Sequence, residues 1–234
     1  MVKTVLITGG SKGIGKASVK KFYDEGYNVA FSSRNQELLD KVEEELSLEK
    51  ERTLSFKADV TKSEEVKDFV NNTKNKFGSI DVLLCNAGAG FFGNVDEIEE
   101  EDFQRNLDVN VTGVFLTCKY ALPYLKEQNK GQIVIVSSMA GKTGIAGGSG
   151  YCAAKWGVLG FAQSLKQELR ETQIKLASIL PGSVETNFFD DLPVGPTPNR
   201  HLTAEEVAEQ IYKVAEQGKT SDIDEVTLRP AYNP

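Results

Sequence analysis

The chain has 234 residues, 40% hydrophobic and 26% charged, with a formal net charge of −7. That balance describes a globular protein and excludes a disordered one, and the acidic surplus argues against a general nucleic-acid backbone binder, which needs clustered Lys and Arg. No apolar run approaches the ~18 residues of a membrane span, and residues 1–7 are too short for a signal h-region, so a cytoplasmic location is expected.

The length suits one domain over residues 1–234. Short apolar runs alternate with longer helical patterns. This is the signature of a doubly wound α/β (Rossmann-type) fold, a seven-stranded, mainly parallel sheet with helices on both faces. Strands are expected at 4–8, 28–33, 53–58, 82–86, 132–137, 175–180 and 225–228. Helices are expected at about 13–25, 36–49, 63–77, 100–127, 151–172 and 204–217. Ser63 is expected to cap the third helix, and Thr203 with Glu206 makes a capping box for the last. Two segments break the rhythm, both directly after strands: 141–150 has five glycines, and 181–200 has four prolines. In open α/β sheets that carboxyl edge is where ligands bind. Cys85, Cys118 and Cys152 have no zinc-like spacing and read as small buried side chains. No metal site is expected, and His201, in its Pro-rich context, is not a catalytic candidate.

The first strand runs into Thr8-Gly9-Gly10-Ser11-Lys12-Gly13-Ile14-Gly15, and a helix follows. Glycines permit a tight turn and a close approach of backbone to ligand, while the helix N-terminus presents free N–H groups to a pyrophosphate. The spacing is Gly-x-x-x-Gly-x-Gly, and no Gly-Lys-Ser/Thr ending of a P-loop is present. Further on, Tyr151 and Lys155 lie four apart, with Ser138 thirteen residues before the tyrosine. On a helix, i and i+4 share a face, roughly 6 Å apart along the axis. A free phenol has a pKa near ~10, and a neighbouring cation is expected to lower it.

Together these pieces resemble the short-chain dehydrogenase/reductase family over nearly the whole chain. Thr8, Gly9, Gly13 and Gly15 match its cofactor turn, and Asn86-Ala87-Gly88 match its Asn-Ala-Gly motif, although Cys85 stands where a second Asn is frequent. Asn110, Ser138, Tyr151 and Lys155 match the active-site tetrad, and Pro181-Gly182-x-Val184-x-Thr186 the segment touching the nicotinamide end. The resemblance implies hydride transfer between nicotinamide and a carbonyl carbon. Tyr151 would be the acid/base, and Ser138 would hydrogen-bond the substrate oxygen. Lys155 would acidify Tyr151 and bind the ribose, while Asn110 would hold a water linking Lys155 to solvent. Ser11, Lys12 and Ile14 in the turn belong to the implied cofactor site, as do Asp59 and Val60 beside the adenine.

The end of the second strand bears on cofactor choice. Ser33 stands where an NAD enzyme usually has a carboxylate, Arg34 follows it, and Lys12 adds a cation at the same corner. A guanidinium binds a 2′-phosphate bidentately, so NADP(H) is expected, with reduction as the working direction. The substrate wall is expected from 88–93, 139–150 and 188–200, with Phe91, Phe92, Phe188 and Phe189 either lining it or packing. The 144–150 stretch reads as a segment that closes on ligand.

A small ketone, aldehyde or 3-hydroxy/3-oxo acid is the expected substrate, with 3-oxoacyl thioesters second. The ending Glu225-Val226-Thr227-Leu228-Arg229-Pro230 departs from the Asp-Gly-Gly close of oxoacyl reductases. A non-catalytic NADP-binding sensor is the reading from another class, and relatives of that kind often lose the Tyr/Lys pair. A homodimer or homotetramer through the two long helices is implied by the resemblance. The apolar face of the second is Val158, Leu159, Phe161, Ala162, Leu165 and Leu169, unless the chain's own sheet uses it.

Overall fold

The computed structural model describes residues 2–186, 188 and 201–231. Its strands are β1 (Thr4–Thr8), β2 (Asn28–Ser33), β3 (Thr53–Lys57), β4 (Val82–Cys85), β5 (Gly131–Val136), β6 (Ile174–Pro181) and β7 (Glu225–Leu228). They form one sheet in the order β3-β2-β1-β4-β5-β6-β7, and every pairing is parallel. Helices α1 (Gly13–Asp24), α2 (Gln36–Glu45), α3 (Ser63–Phe77), α4 (Glu100–Leu107), α5 (Gly113–Gln128), α6 (Ser149–Glu168) and α7 (Ala204–Ala215) cover both faces.

Alternate residues of β1, β2, β4, β5 and β6 feed two separate cores, which is why these strands read as nearly unbroken apolar runs. Leu6, Leu83, Ile133 and Ile135 pack with Val70, Val114 and Val158 on one side. Val5, Ile7, Phe31, Leu84 and Val134 pack with Val19, Phe22, Val207 and Ile211 on the other. The chain's direction of winding reverses between β1 and β4, paired Leu6 to Leu83 and Ile7 to Leu84. The loops after these two strands therefore open into the crevice where such sheets take ligands.

Several expectations change. Ser63 does not cap α3; Lys62 holds the cap position without a side-chain bond, and the Ser63 hydroxyl pairs with that of Tyr120 instead. The Thr203–Glu206 capping box forms as expected. The single helix read over 100–127 is α4 and α5 joined through a π-helical turn, Asp108–Thr112. The apolar face of α6 is mostly used within the chain: Val158, Ala162, Leu165 and Leu169 belong to the first core.

Candidate active site

β5 ends at Val136, and the following Ser138 has extended backbone and accepts from the Ala140 N–H through its hydroxyl, turning the chain into a short 3-10 segment. That acceptor bond leaves the Ser138 hydrogen free, and Ser138 stands near enough to Tyr151 to favour its phenolate. α6 then carries Tyr151 and Lys155 on one face, as i,i+4 spacing requires. The Lys155 ammonium lies 5.6 Å from the Tyr151 ring centroid. Both side chains are buried, Tyr151 to 8% exposure and Lys155 to 5%.

Burial dominates the electrostatics here. Desolvation pushes the Tyr151 pKa up to about 12, against the favourable influence of Ser138. It pulls Lys155 down to about 8. The expected acidified phenol is thus reversed in this structure, because removing water costs the phenolate more than its neighbours return. Tyr151 is protonated at neutral pH, the state a proton donor needs.

Asn110 sits in the π-helical turn, closed by the Gly113 N–H donating five residues back to Asp108. Such wide turns often occur at functional positions. Asn110 Nδ2 donates to the carbonyls of Ala89 at 2.7 Å and Asn106 at 2.8 Å. Both amide hydrogens are then used, and Oδ1 is left buried without a partner. Lys155 Nζ has only one long bond among the described residues, 3.4 Å to the carbonyl of Val136. A Cβ on Gly88 would stand 3.0 Å from Asn110 Oδ1 and 3.5 Å from Lys155 Nζ, so donor and acceptor converge on one spot.

The glycine turn lies across the crevice. Gly9 has φ +70°, and a Cβ there would meet the Ala87 backbone at 2.8 Å; on Gly15 it would meet the Gly9 carbonyl at 2.0 Å. Asn86 Nδ2 donates to the carbonyls of Thr8 and Gly9, both at 3.0 Å, and the Thr8 hydroxyl accepts from the Asn86 and Ala87 N–H groups. Thr8 and Asn86 thus hold the turn to the 86–88 loop. Thr186 packs against Gly13, which brings the segment after β6 to the same place, and Val184 bridges to Leu202. Ser11 donates to Ser33 at 2.9 Å. Lys12 and Arg34 flank that bond, exposed. Asp59 accepts from the N–H and hydroxyl of Thr61, and Val60 packs with Val66 and Leu116.

A glycine cradle, a Ser–Tyr–Lys cluster and an asparagine in one crevice have counterparts among known proteins. The model of the short chain dehydrogenase family matches residues 3–194. The chain belongs to the short-chain dehydrogenase family. An uncharacterized oxidoreductase of Staphylococcus aureus (strain MRSA252) is 30% identical over 228 residues, 97% of each chain. Alcohol dehydrogenase from the archaeon Thermococcus sibiricus, solved with 5-hydroxy-NADP, superposes with a TM-score of 0.91 at 30% identity, over 100% of this chain and 99% of that one. Actinorhodin polyketide ketoreductase, solved with NADPH, gives 0.88 at 27% identity, over 97% and 95%.

In this short-chain dehydrogenase the surroundings of Tyr151 are aromatic. Phe92 lies 5.2 Å and Phe188 5.7 Å from Tyr151, ring centre to ring centre, and Ala140 and Cys152 complete the cluster. Gly90 leaves room for both rings, since a Cβ there would stand 2.6 Å from each. Phe91 does not join them; the Arg105 guanidinium stacks on it at 4.2 Å. Phe189 and the rest of 189–200 lie outside the described residues. The glycine-rich stretch is tied to the 88–93 loop where the Gly93 N–H donates to the Gly147 carbonyl at 2.8 Å. His201 pairs with Glu185, away from this cluster. Sequence reasoning missed Asn106, which holds the Phe91 loop in place, and placed Thr8 in the cofactor turn without its bonds to the 86–88 loop. Two asparagines four apart on one helix were the available signal for Asn106.

Proposed function

We propose that this dehydrogenase is an NADPH-dependent reductase of small ketones and aldehydes, working in the cytoplasm. The observation that carries the reading is the convergence of half-buried Ser138 with buried Tyr151 and Lys155 across the crevice from the glycine turn. The dinucleotide fits the residues present: glycines where any Cβ would strike backbone, a helix N-terminus for the pyrophosphate, and exposed Lys12 and Arg34 for a 2′-phosphate. Two of the solved relatives carry NADP-type ligands. Gly9, Ser11, Gly13, Ile14 and Gly15 would hold the phosphates, Asp59 and Val60 the adenine side, and 86–88 with 181–186 the nicotinamide half. When bound, the cofactor supplies the hydride.

The chain's own groups supply position and protons. Ser138 holds the carbonyl oxygen beside the phenol, and Tyr151 gives its proton to that oxygen as negative charge develops there. The charged Lys155 stabilises the phenolate left behind, in surroundings where water is excluded and Coulomb interactions are strong. Proton return follows the Lys155–Asn110 convergence, where one ordered water accepting from Nζ and donating to Oδ1 satisfies both. Phe92 and Phe188 favour an uncharged, partly apolar substrate over an ionised oxo acid.

A homo-oligomer is proposed through the outer sides of α5 and α6, where Phe115 and Trp156 remain exposed at 43% and 55%.

The deciding experiment is NADPH oxidation over ketones, aldehydes, 3-oxo esters and acyl thioesters, with Tyr151→Phe as the matched control. Turnover on ketones or aldehydes that falls at least a hundredfold in the control is expected. Tight NADPH binding with no turnover on any member would instead indicate a binding protein.

A further inference from the structure

Asn106 is a buried amide that the chemistry above leaves unused. It lies on α4, fully buried, four residues before Asn110. Its Oδ1 accepts from the Phe91 N–H at 3.1 Å, and its Nδ2 donates to the carbonyls of Phe91 at 2.9 Å and Asp102 at 3.2 Å. One side chain thus grips both polar groups of one backbone residue, which fixes the peptides on either side of it. Its main-chain carbonyl accepts from Asn110 Nδ2. On a third side, Gly150 rests against it: a Cβ there would stand 3.1 Å from Asn106 Nδ2 and 3.0 Å from the Phe103 ring. Gly150 directly precedes Tyr151. The amide therefore touches α4, the 89–91 loop and the first turn of α6 at once, with both of its hydrogens and its oxygen engaged.

We propose that Asn106 is a positioning residue for the reaction: it sets the 88–92 loop against the start of α6, so that Phe92 lies on Tyr151. It also helps hold Asn110 with Oδ1 turned toward Lys155. The proposal rests on the reading of Tyr151 as proton donor. An apolar side chain of the same size fills the space but leaves the N–H and C=O of Phe91 without partners, and an unpaired buried peptide group is costly enough to rearrange a loop. Phe92, one residue on, moves with it.

Asn106→Leu and Asn106→Asp separate positioning from simple support of the fold. Three readouts apply: hydrogen exchange of segment 86–93, NADPH affinity by nicotinamide fluorescence, and steady-state kinetics on a carbonyl the wild type reduces. In Asn106→Leu, exchange in 86–93 rises at least tenfold, NADPH affinity stays within about threefold, and kcat falls at least tenfold, order-of-magnitude expectations for one lost buried hydrogen-bonded clamp. In Asn106→Asp the carboxylate still accepts from the Phe91 N–H but repels the Phe91 and Asp102 carbonyls. Once protonated it has one hydrogen, which it donates to one of those carbonyls, so kcat partly recovers on acidification along a limb, additional to that of Lys155, which wild type and Asn106→Leu both lack.

Should Asn106→Leu fail to fold, Gly150→Ala takes its place. Alanine favours a helix over glycine, yet its Cβ presses on Asn106, so kcat falls while the thermal midpoint holds or rises. Unchanged exchange in 86–93 with Asn106→Leu, an Asn106→Asp profile without the acid limb, or wild-type kcat in Gly150→Ala would each overturn the proposal. Absence of wild-type turnover on every carbonyl sinks the proposed function instead, and the exchange arm alone then decides whether Asn106 holds the loop.

Discussion

Ser11 donates to Ser33 across 2.9 Å, tying the glycine turn to the end of β2 between two exposed cations, Lys12 and Arg34. A carboxylate at position 33 would sit at the same corner and oppose a 2′-phosphate. Charge-assisted bonds of this kind are worth ~1.5–3 kcal/mol. Ser33→Asp is therefore expected to lower kcat/KM for NADPH by roughly ten- to a hundredfold and to raise that for NADH. Arg34→Ala should lower NADPH use alone, with NADH unchanged. An unaltered NADPH/NADH ratio in both variants would place the 2′-phosphate elsewhere.

The low Lys155 pKa makes a stability prediction with a definite sign. Its folded value of about 8 lies below the ordinary 10.5. Between those values the unfolded chain binds more protons, so stability rises with pH across that window. Below pH 8 the lysine is protonated in both states, and the cost of burying the ammonium is present in full. Tyr151, raised from 10 to about 12, acts the other way only above pH 10, and the buried Cys85 thiol, held above its ordinary 9.0, opposes the lysine from about pH 9, so the comparison with a variant lacking the lysine isolates its share. Lys155→Met should abolish turnover yet stabilise the fold near pH 7 by on the order of 2–3 kcal/mol. Denaturant unfolding of both proteins at pH 7 and 9.5 checks it; a variant less stable than wild type at pH 7 would refute it.

The same titration bears on rate. As Lys155 loses its proton near pH 8, the positive charge facing the phenolate disappears. Reductive kcat/KM is expected to fall as pH rises through about 8, with no matching fall in NADPH affinity. A flat profile from pH 7 to 9.5 would mean that the charge of Lys155 does not support the step.

Strand positions and the Tyr151/Lys155 pairing were legible because they depend on local signals. β1 ends where its apolar run meets Gly9, β2 begins at Asn28 and β7 ends just before Arg229-Pro230, and i,i+4 spacing alone places Tyr151 beside Lys155. What was not legible depends on distant partners. The π turn at Asp108–Thr112 has no compositional mark, and it matters because Asn110 must reach Ala89. Ser63 looked like a cap, but Tyr120, far along the chain, takes its hydroxyl. Acidification of Tyr151 was argued from one neighbouring charge, whereas its ionisation is governed by burial from every side. Burial of that kind is a property of the packed site and cannot be read from spacing.

Gly15 offers a test of the cradle itself. A Cβ there would lie 2.0 Å from the Gly9 carbonyl and 2.5 Å from Asn86 Nδ2. Backbone cannot give way cheaply at that distance, so the turn must open and Asn86 must release it. Gly15→Ala should weaken NADPH binding at least tenfold and destabilise the fold by ~1–3 kcal/mol, the usual range for overpacking. Calorimetric titration with NADPH and thermal unfolding are the measurements. Wild-type affinity in this variant would show that the dinucleotide does not rest on the turn.

Trp156 bears on assembly. It projects from α6 at 55% exposure, one residue beyond Lys155, and Phe115 on α5 is 43% exposed. Phe115 meets Phe161 of α6 edge to face at 6.3 Å, so the two helices share one aromatic surface. Large exposed apolar patches on a folded chain mark interaction sites, and a twofold interface pairs such a patch with itself. A charge at position 156 would then face its own copy across the axis, where like charges repel. Trp156→Glu is expected to shift light-scattering mass from an oligomer toward the monomer of 25.6 kDa. Because Lys155, the residue before it, is buried in the same helix turn, the monomer should also lose part of its reductase activity. A wild-type mass equal to one chain would dispose of the interface outright.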